Sequence, residues 1–258
     1  MKIIQLSEGD AIASVADLHI MNNRGLRNIE IFCDIMDATQ PKALVLDGDI
    51  RDKWGATDNQ INHTHSWQRI IDTCERRDEM QLDTYYVLGN HDWQAKQIDL
   101  PWAHFGESFT FKLGDKTILY IHGWQFDIVW QGIAGIPGIA PTAFFIATRM
   151  PWLMAPLYNC IVGKNTPGRK RQRIISASEN GEKHLVDTIS NDWTKHIGFV
   201  HLRAMQYAKA HNLSVVMGHT HCPIPHNGLI ADNGNLPEDG IYVVASKYGI
   251  KLEDVNAW

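Results

Sequence analysis

Thiols are scarce in this chain. Its 258 residues include only 4 Cys (Cys33, Cys74, Cys160 and Cys222), scattered and without a C-x-x-C pair. That spacing argues against a disulfide framework and against a thiolate zinc ribbon. Excess positive charge is missing as well: 24 Lys and Arg face 29 Asp and Glu, a formal net charge of −5. A mildly acidic chain is not built as a general nucleic-acid binder, although a local basic patch can still act. No clean apolar run reaches the roughly 20 residues that a membrane-spanning helix needs. The most apolar stretch, 128–162, is broken by Pro137, Pro141, Pro151 and Pro156, and proline interrupts helices. The opening MKIIQLSEGD holds one Lys, a short apolar stretch and two acids. That is unlike a secretory signal, so the expected location is the cytoplasm. Internal repeats and low-complexity tracts are lacking too.

What is present is an ordinary globular composition, 44% hydrophobic and 21% charged, with 13 His. A single domain over 1–258 would bury roughly 70–75% of its unfolded surface and needs no staples. Short apolar, β-rich runs predict strands at Ala11–Ala16, Ala43–Leu46, Thr84–Leu88, Thr117–Ile121, Leu213–Met217 and Ile241–Ala245. Helix-period stripes lie between some of them: Leu26, Ile29, Phe32 and Met36; then Trp67, Ile70, Ile71 and Cys74; then Leu185, Ile189 and Trp193. Strands alternating with helices predict a layered α/β (or α+β) domain.

The segment 128–162 carries one charged residue, Arg149, and is followed by Lys164, Arg169, Lys170, Arg171 and Arg173. It reads either as a buried helical insertion or as an apolar lid. In the second case an apolar face beside cations could touch anionic lipid, a peripheral contact at the inner face of a membrane.

Chemistry gathers just after the strands. Asp17 and His19 follow the first, Asp49 and Asp52 the second, and Asn90, His91 and Asp92 the third. His122 follows the fourth, and His219 and His221 the fifth. In α/β sheets the carboxyl edge is where sites assemble. Asp, Asn and His without Cys make a mixed oxygen and nitrogen shell suited to Mn, Fe, Zn or Mg. Seven candidate ligands, Asp17, His19, Asp49, Asn90, His122, His219 and His221, are too many for one tetrahedral ion. With Asp49 shared they fill two sites, and two ions about 3.5–4 Å apart can clamp both oxygens of a phosphoryl transfer. Two ions would bring +4 against −2 from Asp17 and Asp49, leaving a site of net +2 that draws a phosphate. Arg24 and Arg51, which follow ligand motifs, are candidates for meeting that phosphate bidentately, with surface ion pairs as the alternative.

The series D-x-H, G-D-x-x-D, G-N-H-[DE], a middle His and G-H-x-H runs in order from Asp17 to His221. It resembles the calcineurin-like metallophosphoesterases. The resemblance implies a four-layer αββα sandwich, two mixed sheets packed face to face with helices outside. It implies two divalent ions, manganese first, with iron, zinc or magnesium as alternatives. Asp17, His19, Asp49 and His221 would hold one; Asp49, Asn90, His122 and His219 would hold the other. A bridging hydroxide would attack phosphorus. His91 would contact the phosphate and help protonate the leaving oxygen, with Asp92 orienting its ring.

Within that family, IHGWQFD, the closing GHTH and the apolar insertion resemble the UDP-2,3-diacylglucosamine pyrophosphohydrolases and their relatives. This likeness implies a helical cap at about 125–200 that takes acyl chains, and a lipid-linked or nucleotide-diphosphate substrate. Trp124 stands where that subgroup has Asp, and is a candidate substrate contact. His91 stands where many of its members carry Arg, and the last strand lacks their Asn-x-Gly. The competing readings are a soluble nucleotide phosphodiesterase or phosphatase, and a non-catalytic scaffold, which the complete ligand series disfavours. Asp52 is expected to brace its loop. His63, His65, His104, His184, His196, His201, His211, His226 and Cys222 are expected to be ordinary surface or core residues.

Overall fold

A computed structural model of the protein describes residues 3–53, 56–92, 100–127 and 193–258, with the side chains of the helix that opens at Trp193 described from Ile197 onward. Most of the proposed cap, 128–192, lies outside these residues, and with it the apolar run 128–162, its cations, Leu185, Ile189 and His184.

Among the described residues eleven strands form two sheets. The first has the order β11-β10-β2-β3-β4-β5, built from β2 (Ala11–Val15), β3 (Ala43–Asp47), β4 (Asp83–Val87), β5 (Ala103–Gly106), β10 (Ile241–Ser246) and β11 (Gly249–Asp254). The second runs β1-β6-β7-β8-β9, from β1 (Ile3–Leu6), β6 (Ser108–Leu113), β7 (Lys116–Ile121), β8 (Ser214–Met217) and β9 (Ile230–Asp232). Both are mixed. Strands β2 to β5 are parallel while β10 pairs antiparallel with β2 and β11. In the second sheet β7, β8 and β9 are parallel, as are β1 and β6, and β6 and β7 form an antiparallel pair.

Period-two alternation assigns each side chain to a layer. Ile12, Val45, Tyr85 and Val87 of the first sheet pack with Phe111, Ile118, Tyr120 and Val216 of the second. Their neighbours Ala13, Val15, Leu44, Leu46 and Tyr86 face the other way, onto α1 (Leu26–Thr39) and α3 (His65–Glu79). The stripes that the sequence places on these helices meet that core: Ile29, Phe32 and Met36 from α1, and Trp67, Ile70 and Cys74 from α3, are all buried. Short α2 (Asp58–Asn62) precedes α3, and Thr57 and Thr64 cap these two helices through their hydroxyls. On the far side, Leu119, Val215, Met217 and Ile230 pack against Val200, Ala204, Met205 and Ala208 of α4 (Trp193–His211). A one-turn helix, α5 (Leu236–Asp239), packs near α1. The result is the four-layer αββα sandwich.

The predicted strands all form, to within a residue or two at each end. Strands β1, β5, β6, β9 and β11 escaped sequence reasoning. No helix among the described residues is long and apolar enough to cross a membrane.

Phe111 is fully buried between the sheets, with edge contacts to Tyr85 at 5.0 Å and Tyr120 at 5.4 Å between ring centroids. Phe111→Ala should cost about 3–5 kcal/mol through the lost transfer energy and the cavity left behind. Chemical denaturation checks this, and a loss under about 1 kcal/mol would contradict face-to-face packing at this position.

Candidate metal centre

The carboxyl ends of β2, β3 and β4 in one sheet and of β7 and β8 in the other open toward the same place. Holding side chains there demands unusual backbone. Among the described non-glycine residues, left-handed φ occurs at Asp17 (54°), His19 (44°), Asp49 (52°), His219 (73°) and His221 (55°), all candidate ligands. The other three, Gln40, Gln81 and Asn212, lie just past helix ends, where this conformation is common. Left-handed non-glycine residues cost on the order of 1–3 kcal/mol each and persist only where surrounding contacts over-determine them. Those contacts are present: Asp17 and His19 donate their amides to the carbonyls of Gly48 and Asp49, and the His219 amide donates to Asp17 Oδ2 at 2.7 Å. Close approach also demands small residues. A Cβ on Gly89 would lie 2.1 Å from Asp49 Oδ1, and one on Gly48 would lie 2.4 Å from the His122 ring.

The donor atoms converge. Asp17 Oδ1 lies 3.3 Å from His221 Nε2 and 3.6 Å from His19 Nε2, and the two imidazole nitrogens are 3.0 Å apart. Asp49 Oδ2 lies 3.2 Å from His122 Nε2 and 3.9 Å from His19 Nε2. Asn90 Oδ1 is 3.0 Å from His219 Nδ1. Ligands at right angles around an ion with bonds of about 2.1 Å stand roughly 3 Å apart, so the spacing suits divalent cations. Two groups, Asp17 with His19 and His221, and Asp17 with Asp49 and His122, each bring three such atoms within 4.8 Å of one another.

Two buried polar atoms support the fit. Asp17 Oδ1 and His122 Nε2 have no hydrogen-bond partner although both residues are fully buried, a costly arrangement unless something else pairs with them. His122 Nδ1 is within 2.8 Å of the Asp47 carbonyl, which assigns the ring proton to Nδ1 and turns the Nε2 lone pair toward the cluster.

Electrostatics describes the same need. Burial works to neutralise Asp17 and Asp49, yet the surrounding imidazoles hold both carboxyls well below the usual range. Burial works against a charged His122, but Asp49 and Asp17 outweigh it and lift the ring to about 10. His19 rises to about 9 for the same reason, burial being overcome by Asp17, Asp49 and Asp52.

Among the neighbouring residues Asp92 departs from its expected place, while Arg24 and Arg51 both make ion pairs. Asp92 does not orient the His91 ring. It is fully buried, and its two oxygens accept the Asp49, Ile50, Arg51 and Gly89 amides and the Tyr86 hydroxyl, at 2.7–3.3 Å. It therefore ties the β3 and β4 loops together, and Asp52 is the carboxylate at His91, 3.1 Å from Nδ1. Arg51 lies in the interior. Its guanidinium is fully buried over Trp67, 4.9 Å from the ring centroid, and donates to Asn62 and Asp58. Arg24 is exposed and ion-paired with Glu238. Trp124 is half-buried in the 3-10 turn Trp124–Phe126 that follows Gly123.

Asp127 was missed by sequence reasoning. It is buried, and its Oδ2 lies 3.0 Å from His219 Nε2, fixing that ring with Nδ1 toward Asn90. The signal was its place at the end of IHGWQFD. Asn235, whose Nδ2 lies 3.2 Å from His221 Nδ1, was missed as well.

The profile of the calcineurin-like phosphoesterase family matches residues 11–223, a span that contains every strand-end residue above. The chain belongs to the calcineurin-like phosphoesterase family, and is thus a metal-dependent phosphoester hydrolase. No curated protein sequence matches it. Among solved structures it is similar to the phosphoesterase Yfce of E. coli, at 15% identity over 96% of this chain and 94% of that one, TM-score 0.44. It is similar to an archaeal phosphodiesterase at 11% identity, 94% and 98% coverage and TM-score 0.41. A dimetal phosphatase of Danio rerio gives 12% identity, 92% coverage of each chain and TM-score 0.45.

The raised imidazoles set a sign for metal binding. In the metal-free protein His122 and His19 stay protonated until pH passes about 10 and about 9, and a cation must displace those protons. Affinity for Mn should therefore rise with pH through neutrality and level off as pH passes about 9 and then about 10. Loading at neutral pH should release close to two protons, read from calorimetric heats in buffers of different ionisation enthalpy. Release of none would contradict the assignment.

Proposed function

We propose that Asp17, His19, Asp49 and His221 hold one divalent ion and Asp49, Asn90, His122 and His219 a second. The protein would use the pair to hydrolyse a phosphodiester or pyrophosphate bond. The observation that carries this reading is the convergence of buried donors around Asp17 Oδ1 and His122 Nε2, which make no regular hydrogen bond yet lie 3.3 Å from His221 Nε2 and 3.2 Å from Asp49 Oδ2, a spacing suited to cations. The ions would neutralise phosphate charge and make water a nucleophile at neutral pH.

The chain's own groups divide the remaining work. Asp127 and the Asp47 carbonyl hold the His219 and His122 rings so that one nitrogen of each faces the cluster. His91 lies over the cluster, its Nε2 3.9 Å from Asp49 Oδ2 and its ring edge-on to His19. With Nδ1 held by Asp52, Nε2 is the atom that would meet a phosphate oxygen or pass a proton to the leaving oxygen. Asp52 itself is held down at about 2, where burial is opposed by His91 and His19, so it remains an anion beside the His91 ring.

For the substrate, we infer a nucleotide-linked lipid of the UDP-2,3-diacylglucosamine type, cleaved at a membrane surface. The support is compositional: an apolar run over 128–162 with Arg149 as its one charge, then five cations between 164 and 173. Acyl chains suit the first and a diphosphate or anionic headgroup suits the second. The mixed oxygen and nitrogen donors suit Mn, Fe, Zn or Mg, of which we take manganese first.

Asp49→Ala should abolish hydrolysis and lower the bound metal together, because it removes the shared ligand; full activity would rule out a two-ion site. For the substrate, hydrolysis of UDP-diacylglucosamine and of bis-nitrophenyl phosphate should be compared with Mn added, alongside binding to anionic vesicles. Preference for the lipid and vesicle binding are expected. Turnover of the soluble diester alone, with no vesicle binding, would instead assign a soluble nucleotide phosphodiesterase.

A further inference from the structure

Behind the ligand loop lies a buried polar network that the reaction does not use directly. It joins three elements: His201 on α4, Thr220 between the two loop histidines, and Asp232 at the end of β9. His201 and Asp232 are fully buried and Thr220 nearly so. His201 Nε2 lies 2.9 Å from Asp232 Oδ2, and the Thr220 hydroxyl donates to the same oxygen at 2.7 Å. Asp232 Oδ1 accepts the Gly234 amide at 2.8 Å. Thr220 Oγ1 also accepts the Cys222 amide at 3.2 Å and lies 3.2 Å from His201 Nε2.

Two features make this more than core packing. A buried carboxylate is expensive unless hydrogen-bonded, and apolar residues of similar volume usually serve stability as well or better. The network is also anchored at Thr220, whose neighbours on both sides, His219 and His221, have left-handed backbone, as Asp17 and His19 do around Leu18. With Thr220 drawn toward α4, the flanking histidines are turned toward Asp17: the His219 amide donates to Oδ2, and His221 Nε2 lies 3.3 Å from Oδ1.

We propose that His201 and Asp232 are positioning residues that clamp Thr220 and thereby aim His219 and His221 at the metal centre. The inference rests on the reading of those two histidines as ligands. It gives α4 a role in metal affinity although none of its described side chains is a proposed ligand. Loss of the Thr220 hydroxyl frees the loop to relax from its left-handed geometry, so the imidazoles spend less time where a cation needs them. Residues that orient ligands in this way typically change metal affinity by about 10–100-fold.

The test measures Mn affinity by titration of the metal-free, folded protein, with its thermal midpoint recorded in parallel. Thr220→Val keeps the shape and removes the hydroxyl; it should weaken Mn binding by about 10-fold or more while the protein remains folded at the assay temperature. Thr220→Ser should restore most of the affinity, and His201→Gln should weaken it in the same direction. His219→Ala is the control for the ligand reading. If Thr220→Val binds Mn as tightly as the unaltered chain while His219→Ala does not, the network is purely structural and the positioning role is wrong. If His219→Ala itself retains full Mn affinity, the ligand assignment fails instead.

Discussion

Asp17 and Asp49 sit at the ends of neighbouring strands with almost no contact with water, and they are surrounded by imidazoles rather than by lysine or arginine. Removing two carboxylates from solvent is costly unless cations or strong donors meet them. Much of what is unusual in the structure follows from that. The histidines His19, His122 and His221 are drawn to the carboxylates, and His19 and His122 are held protonated when no metal competes. The backbone is bent into left-handed geometry at five proposed ligand positions, bringing the side chains together. Gly48 and Gly89 are required where a Cβ would strike His122 or Asp49. A divalent pair held there would relieve the same charge.

Around this centre a ring of buried acids does separate mechanical tasks. Asp92 gathers four backbone amides from the β3 and β4 loops, with the Tyr86 hydroxyl closing its shell. Asp127 fixes one histidine ring, and Asp52 lies against another. Burial and the charge on Asp49 push the Asp92 carboxyl up, in keeping with a bracing role rather than an exposed catalytic one. These acids also revise the charge of the site. Counting Asp17 and Asp49 alone, two divalent ions would leave a net +2; Asp52, held low beside His91 and His19, brings this to +1 before any imidazole is charged.

The fold was legible where a strand is central and buried. Runs such as Ala43–Leu46 have no exposed residue, and their apolar character is plain. Strand β1, IIQL, alternates between exposed and half-buried positions that its apolar residues do not mirror, and β5 has none fully buried, so neither shows the pattern of a core strand. Strand β9 has three residues, too few for any periodicity. Helices α1 and α3 were readable because their apolar spacing matches the face they bury. In the site, the proposed ligands were visible because each lies within a few residues of a strand end. Their supports were not: Asp127 meets His219 across 92 positions, and His201 meets Asp232 across 31. Asp92 illustrates the error that adjacency invites. It is next to His91 in sequence, yet its side chain turns into the core while Asp52, from another strand's loop, reaches the ring.

The central claim is that one chain holds two cations that share Asp49. Electron paramagnetic resonance of the Mn-loaded protein, with the metal content counted on the same sample, tests it most directly. The account predicts about two Mn per chain and the signature of a spin-coupled pair, as expected for ions roughly 3.5–4 Å apart across a shared carboxylate. A saturated protein with a single Mn, or with two that are magnetically independent, would contradict it.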